Sequence, residues 1–268
     1  MVAALRKHAY YLASIFRLMA GFSDWPLLLR LFLAGKAPGV FQVHLRSCGA
    51  RFRVRGAMDV WSLKETFLDR FYERRIFVLQ DGWGVIDIGA GIGDFSLFAA
   101  LGRPNCLVHA YEPYAESFRL LEENLAMNKA GNITAFCQAV GAKSGSLMLD
   151  LTGGEPLQLR SLEPGRDRLP EKTRLVPVIS LAEALARLER PCHMLKLDCE
   201  GAEFDILLQA PEEALRKVQR IALEYHDSLT PYRHADLERF LREAGFEVRI
   251  YPNHVHADLG YLYAWRPD

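Results

Sequence analysis

The stretch "HMLKLDCEGAEFDIL", His193 to Leu207, carries an apolar run into charge, with Lys196, Asp198, Glu200 and Glu203 falling within eight residues. Carboxylates and an ammonium at that density can take a proton from a hydroxyl and hold the group that loses it. Period-two alternation puts Lys196 and Asp198 on one face of a strand. Glu200 and Glu203 fall where a helix begins, where a carboxylate also complements the helix dipole. Glu203 fits that structural role as well as a chemical one. A second cluster, "LEYHD", supplies Glu224, His226 and Asp227 at the end of another apolar run. Imidazole titrates near neutrality, so His226 is a candidate base, or a partner for Asp198 or Glu200.

A glycine loop precedes both clusters. "VIDIGAGIGDFS" places Asp87, Gly89, Ala90, Gly91 and Gly93 at the end of a strand, where glycine lets a ligand approach the backbone closely. The dinucleotide fingerprint would need a third glycine at 94, but the residue is Asp94. A carboxylate at that helix start opposes a phosphate. Glu112 closes the next strand, 19 residues after Gly93, where an acid can accept from both hydroxyls of a ribose. A ligand with a ribose, a positive charge and no phosphate points to S-adenosylmethionine.

The segments "VIDIGAGIGDFSLFAA", "VHAYEP", Asn124 and Asn128, "AVGAKSG", "VISLAEAL", "MLKLDCEGAEFDILLQA" and "IALEYHD" follow in one order. In that order the chain resembles the FkbM family of S-adenosylmethionine-dependent methyltransferases, over residues 85–250. "FRVRGAMDVWSLKETFLDRFYE" also resembles the lead-in of many members. The K-x-D-x-E-G-x-E block is the most specific part. The resemblance implies that Gly89, Ala90, Gly91 and Gly93 form the cofactor turn and that Glu112 holds the ribose. It implies that Asp87 steers the methionine amino group, directly or through water, and that Gln138 and Ala139 border the adenine. Asp198 or His226 is then the expected base, with Lys196 and Glu200 fixing the base or the acceptor. The implied activity is O-methylation of a sugar, glycan or natural-product hydroxyl. The competing readings are a nicotinamide-dependent oxidoreductase and a non-catalytic cofactor-binding scaffold.

The elements that must position these residues alternate. From Val85 onward, apolar strand patterns are separated by helical patterns of ten to fifteen residues, which means right-handed crossovers and a mostly parallel sheet. Ligands bind beyond the carboxyl ends of such strands, where each motif above lies. "NITAFCQAVG" reads as the third strand and "RLVPVIS" as a resumed strand after a long polar loop. "FEVRIYP" and "GYLYAWR" read as a closing antiparallel pair. The expected fold is α/β, a Rossmann-like class I methyltransferase sheet with its last strand antiparallel. Residues 1–80 form an N-terminal extension of helices and a hairpin around Ser47-Cys48-Gly49, and residues 81–268 form the cofactor-binding domain. The loop from Thr152 to Lys172 and the N-terminal layer are the expected acceptor-binding parts.

Composition limits the alternatives. Lys plus Arg and Asp plus Glu number 33 each, which argues against sequence-independent nucleic-acid binding. Five cysteines in no CxxC spacing give no disulfide framework and suit a cytoplasmic setting. His254 and His256 have an HxH spacing but no third ligand, so no metal is expected. The N-terminal "LRKHAYYLASIFRLMAGFSDWPLLLRLFLAGK" is apolar with interspersed basic residues. It is broken by Arg17 and so is neither a membrane span nor a clean signal peptide. It reads as an amphipathic helix on the body of the protein or, from its basic bias, as a contact with a membrane surface or partner.

Overall fold

The computed structural model describes residues 2–34, 39–73, 76–151, 160–162, 173–253 and 255–267. The chain opens with helices α1 (Val2–Gly21) and α2 (Trp25–Ala34), then a hairpin of β1 (Phe41–His44) and β2 (Arg51–Val54). Helix α3 (Ala57–Leu63) runs directly into a π-helical turn over Lys64–Asp69. Then come β3 (Gly84–Ile88), α4 (Asp94–Ala100), β4 (Leu107–Tyr111), α5 (Ala115–Met127) and β5 (Ile133–Phe136). Strands β6 (Ala139–Gly141), β7 (Gly145–Asp150), β8 (Arg160–Leu162) and β9 (Thr173–Ser180) lead to α6 (Leu181–Arg187). The remainder is β10 (Cys192–Leu197), α7 (Ala202–Leu208), α8 (Glu212–Leu215), β11 (Arg220–His226), α9 (His234–Glu243), β12 (Glu247–Pro252) and β13 (Leu259–Trp265).

The main sheet has seven strands in the order β12-β13-β11-β10-β3-β4-β5. The five from β11 to β5 are parallel, and β13 runs antiparallel between β11 and β12. Strand β3 is buried along its whole length, the pattern of a central parallel strand covered on both faces. Its neighbour β10 sets Lys196 beside Asp87 and Leu197 beside Ile88. On the other side β10 sets Lys196 beside Ala222 of β11. The glycine loop, the Lys196–Glu203 cluster and the Glu224–His226 cluster therefore leave adjacent strands at one edge.

Three sequence expectations change. The third strand ends at Phe136. After Cys137 and Gln138 the chain turns away, and β6 and β9 join a separate four-stranded sheet in the order β6-β9-β7-β8. The N-terminal apolar run is two helices, not one. Between them Phe22 bridges to Leu45, and Asp24 accepts from both the backbone and the ring Nδ1 of His44. The helix after the hairpin widens into the π-turn and ends at Arg70, with φ +54°. Most of the Thr152–Lys172 loop, and His254, lie outside the described residues.

The boundary near residue 80 divides the sequence but not the core. Leu18, Phe22, Val54, Leu63 and Phe71 share one buried cluster with Val85, Phe95, Met194 and Tyr263. The other face of the sheet packs a second cluster under α6, α7 and α9. Among the described residues no helix is long and apolar enough to cross a membrane.

Candidate active site

Gly89, Gly91 and Gly93 adopt φ values of +74°, +53° and +86°, a region most side chains avoid. At Gly89 a Cβ would lie 1.9 Å from the carbonyl oxygen of Asp198, so glycine is required for space as well as for φ. The loop is pressed against the end of β10, where the Asp198 N–H donates to Ile88 O at 3.1 Å. Ala90 is fully buried, and its N–H, like that of Gly89, donates to Tyr111 O at 3.0 Å.

Lys196 reaches under this loop. Its Nζ donates to Gly89 O at 2.8 Å and pairs with Asp87 Oδ1 at 3.0 Å. Burial lowers the lysine pKa, but the charges of Asp87, Asp198 and Asp94 outweigh it, and the net shift is upward. Lys196 is therefore a fixed ammonium and not a base. Asp87, fully buried, takes the Ser96 hydroxyl on Oδ2 at 2.7 Å. With both oxygens facing partners inside the protein, Asp87 holds Lys196 and Ser96 and does not present itself directly to a ligand.

Glu112 is buried, with Oε2 accepting from Gly91 N–H and Oε1 from Tyr114 N–H, each at 2.8 Å. Each oxygen keeps a second acceptor direction, so a ribose diol can donate to both. This is the fit expected for S-adenosylmethionine. Burial, opposed by those two backbone bonds, pushes the Glu112 pKa up to about 7. Asp94 is also buried, and its Oδ2 accepts from Ser62 Oγ at 2.8 Å and Thr66 Oγ1 at 2.6 Å. The carboxylate that departs from the dinucleotide fingerprint thus ties α4 to α3 and the π-turn. Gln138 and Ala139 lie just past the end of β5. Gln138 Oε1 accepts from Arg187 at 2.6 Å, and Phe136 stacks on Tyr111 at 4.8 Å.

The chemical cluster assembles beside the loop. Asp198, Glu224 and His226 bring one ligand-type atom each within 4.8 Å of one another. Tyr72, from the N-terminal layer, donates its hydroxyl to Asp198 Oδ2 at 2.8 Å. His226 is held on Nδ1 by Glu203 Oε1 at 2.9 Å and faces Glu200 Oε2 from Nε2 at 3.5 Å. Burial pulls the His226 pKa down, but the bond to Glu203 and the charges of Glu203, Glu200 and Asp198 outweigh it and raise it to about 10. Glu200 is raised to about 7 by burial. Burial and the nearby Asp198 and Glu65 push Glu224 well above the usual carboxylate range. At neutral pH the cluster holds an imidazolium, and Glu224 binds its proton more tightly than a free carboxylate. Asp198, Glu224 and His226 could together hold a divalent cation, but only after His226 loses its proton.

Glu203 is fully buried. Besides the ring it accepts from the backbone N–H groups of His226 at 3.1 Å and Gly201 at 2.9 Å. Its place at a helix start left a structural role open. Its position in the same block as Asp198 was the signal for a second one. Tyr72 and Glu65 had no comparable signal. Glu200 and Gly201 both take left-handed φ, +54° and +99°. A non-glycine residue pays for that conformation with strain, a feature that concentrates at functional sites.

A family model described as the methyltransferase FkbM domain matches residues 87–248. The chain belongs to the FkbM methyltransferase family. The AMB antimetabolite synthetase AmbE of Pseudomonas aeruginosa is 32% identical over 224 residues, covering 70% of this chain and 10% of that protein. The chain thus spans about a tenth of that relative's length. The 31-O-demethyl-FK506 methyltransferase FkbM of Streptomyces tacrolimicus is 28% identical over 190 residues, covering 61% of this chain and 73% of that protein. Among solved structures, an FkbM methyltransferase from Methylobacillus flagellatus superposes with a TM-score of 0.52 at 14% identity, covering 78% of this chain and 54% of that chain. That structure supports the fold. The family match displaces the nicotinamide oxidoreductase reading, and the class I fold implies S-adenosylmethionine as the methyl donor.

Proposed function

We propose that this chain is an S-adenosylmethionine-dependent O-methyltransferase acting on a hydroxyl of a sugar, glycan or natural-product acceptor. The observation that supports it best is the meeting of Asp198, Glu224 and His226 at adjacent strand ends, against the glycine loop. When bound, S-adenosylmethionine supplies a methyl group on a positively charged sulfur. Gly89, Gly91 and Gly93 admit the cofactor to the backbone, and Glu112 accepts from its ribose. Asp87 and Lys196 stiffen the floor beneath the loop.

Asp198 takes the proton from the acceptor hydroxyl. His226 is already protonated and cannot, so it serves as a positive anchor clamped by Glu203. Its charge also keeps neighbouring Glu200 from being pushed still higher. Tyr72 fixes one oxygen of Asp198 and so the direction of the other. In-line displacement draws much of its rate from such positioning. The Streptomyces tacrolimicus relative, a 31-O-demethyl-FK506 methyltransferase, favours an oxygen acceptor.

The test is methyl transfer from isotope-labelled S-adenosylmethionine to a panel of hydroxyl acceptors, with the product bond assigned by mass spectrometry. Label on oxygen supports the proposal. Label on nitrogen or carbon, or a melting temperature raised by NAD but not by S-adenosylhomocysteine, rejects it.

A further inference from the structure

A cavity of about 440 Å³ is lined by α1, α2, α3 and by Asn253, Val255 and His256. It falls in the size range of small-molecule sites, which pair apolar walls with a few polar groups. Its walls include Tyr11, Ile15, Phe32, Leu33 and Trp61, and Glu65 is its acidic residue. Tyr11, Ile15, Phe32 and Leu33 are between 37% and 79% exposed, although they belong to helices whose other faces are packed in the core. The rings of Tyr11 and Phe32 lie 6.0 and 6.2 Å from that of Trp61.

The cavity adjoins the reaction site. Asn253, Val255 and His256 lie between β12 and β13, and Leu259 at the start of β13 pairs with His226, so they lie on the catalytic edge of the sheet. Glu65 accepts the Phe71 N–H on its carbonyl at 3.1 Å, and the next residue, Tyr72, bonds to Asp198. The Glu65 carboxyl, bonded by Trp61 Nε1 at 2.9 Å, is pushed up to about 8 mainly by burial, against the opposing charge of Lys64. The Lys64 ammonium lies behind this wall, 4.1 Å from the Trp61 ring centroid, and with the apolar lining it disfavours a cationic occupant.

We infer that this cavity is the acceptor subsite, and that the acceptor is a neutral hydroxyl compound with an apolar arm that lies against Ile15, Phe32, Leu33 and Trp61 while its hydroxyl reaches Asp198. The inference rests on the methyltransferase reading and narrows its acceptor. The apolar arm explains why the helix pair leaves these side chains uncovered, since burying them against a ligand removes apolar area from water.

The experiment uses the full chain and the neutral fluorophore N-phenyl-1-naphthylamine. One saturable site is expected, displaced by n-alkyl β-D-glucosides below their micelle concentrations. Displacement should strengthen roughly fourfold per added methylene, as burial of each CH₂ predicts. Ile15→Glu and Leu33→Glu alter exposed residues and should each weaken probe binding at least tenfold, with S-adenosylhomocysteine affinity by calorimetry within twofold of wild type. Photolysis with 3-azioctanol should label the segment from Trp61 to Tyr72. Absence of a saturable site, binding unchanged in both variants, label confined elsewhere, or probe uptake only when phosphatidylcholine vesicles recruit the chain would each overturn the inference. Loss of S-adenosylhomocysteine binding in the wild-type protein would instead strike the methyltransferase reading.

Discussion

Glu112 shows how a single residue's environment sets a measurable property. Its two oxygens are held by Gly91 and Tyr114 N–H groups, yet burial keeps its pKa at about 7. A ribose donates best to the ionised carboxylate. S-adenosylhomocysteine affinity should therefore rise from pH 6 to pH 8 and then level off, as followed by calorimetry. Glu112→Gln should remove this pH dependence and weaken binding about 10- to 100-fold, the range for hydrogen bonds to a charged group. A flat profile in the wild-type protein would show that Glu112 does not hold the diol. The positions of Glu112, Asp198 and the glycines just beyond strand ends were legible because apolar strand patterns stop immediately before them. The partnership of Glu203 with His226 was not, because it joins residues 23 apart, and spacing carries no information about which face of a crossover meets which strand.

Among the elements, α5 and the hairpin depend on one another. Asn124 is fully buried, and its side chain accepts from Arg53 N–H at 2.7 Å and donates to Ile92 O at 2.9 Å. Asn128 accepts from Arg51 N–H at 2.9 Å and donates to Arg51 O at 2.6 Å. Two side chains one helical turn apart thus act as a short strand edge for β2, and Asn124 also holds the carbonyl of Ile92 in the glycine loop. Asn124→Ala removes the partner of Arg53 N–H and of Ile92 O and should cost roughly 2–4 kcal/mol of stability in urea unfolding. A cost below 0.5 kcal/mol would deny the coupling. The alternation of strands and helices was readable from periodicity, and the closing antiparallel pair followed from two apolar runs. The break after Phe136 was not readable, because β5 and β6 form one continuous apolar pattern and only the pairing of β6 with β9 shows that the chain changes sheets. The π-turn was also hidden, since Lys64, Thr66 and Asp69 look like an ordinary polar helix face until Lys64 is found fully buried with Nζ 2.7 Å from Asp69.

At the scale of the molecule, an N-terminal layer shares its core with the sheet and closes a carboxylate-rich edge. Glu65, Glu112, Glu200 and Glu224 all have raised pKa values, with burial the largest cause in each. Each binds its proton more tightly folded than unfolded, so each loses stabilisation as pH rises above its unfolded value of about 4.3. His226 works in the same direction later: its contribution is complete below about 6.5 and lost as pH rises through about 10. The ligand-free protein should therefore melt at a lower temperature at pH 8.5 than at pH 6, and Glu65→Gln should reduce the difference. Bound S-adenosylhomocysteine should offset part of this loss, since only the folded state binds it. In the proposed function the donor and acceptor halves of the site would meet at Asp198, whose carbonyl abuts Gly89 and whose carboxylate is held by Tyr72. The most direct measurement is methyl-transfer turnover alongside S-adenosylhomocysteine affinity in Asp198→Asn. A turnover loss of about 10²- to 10⁴-fold, the range for a general base, with affinity within twofold of wild type is the predicted result. Turnover equal to wild type would contradict the account.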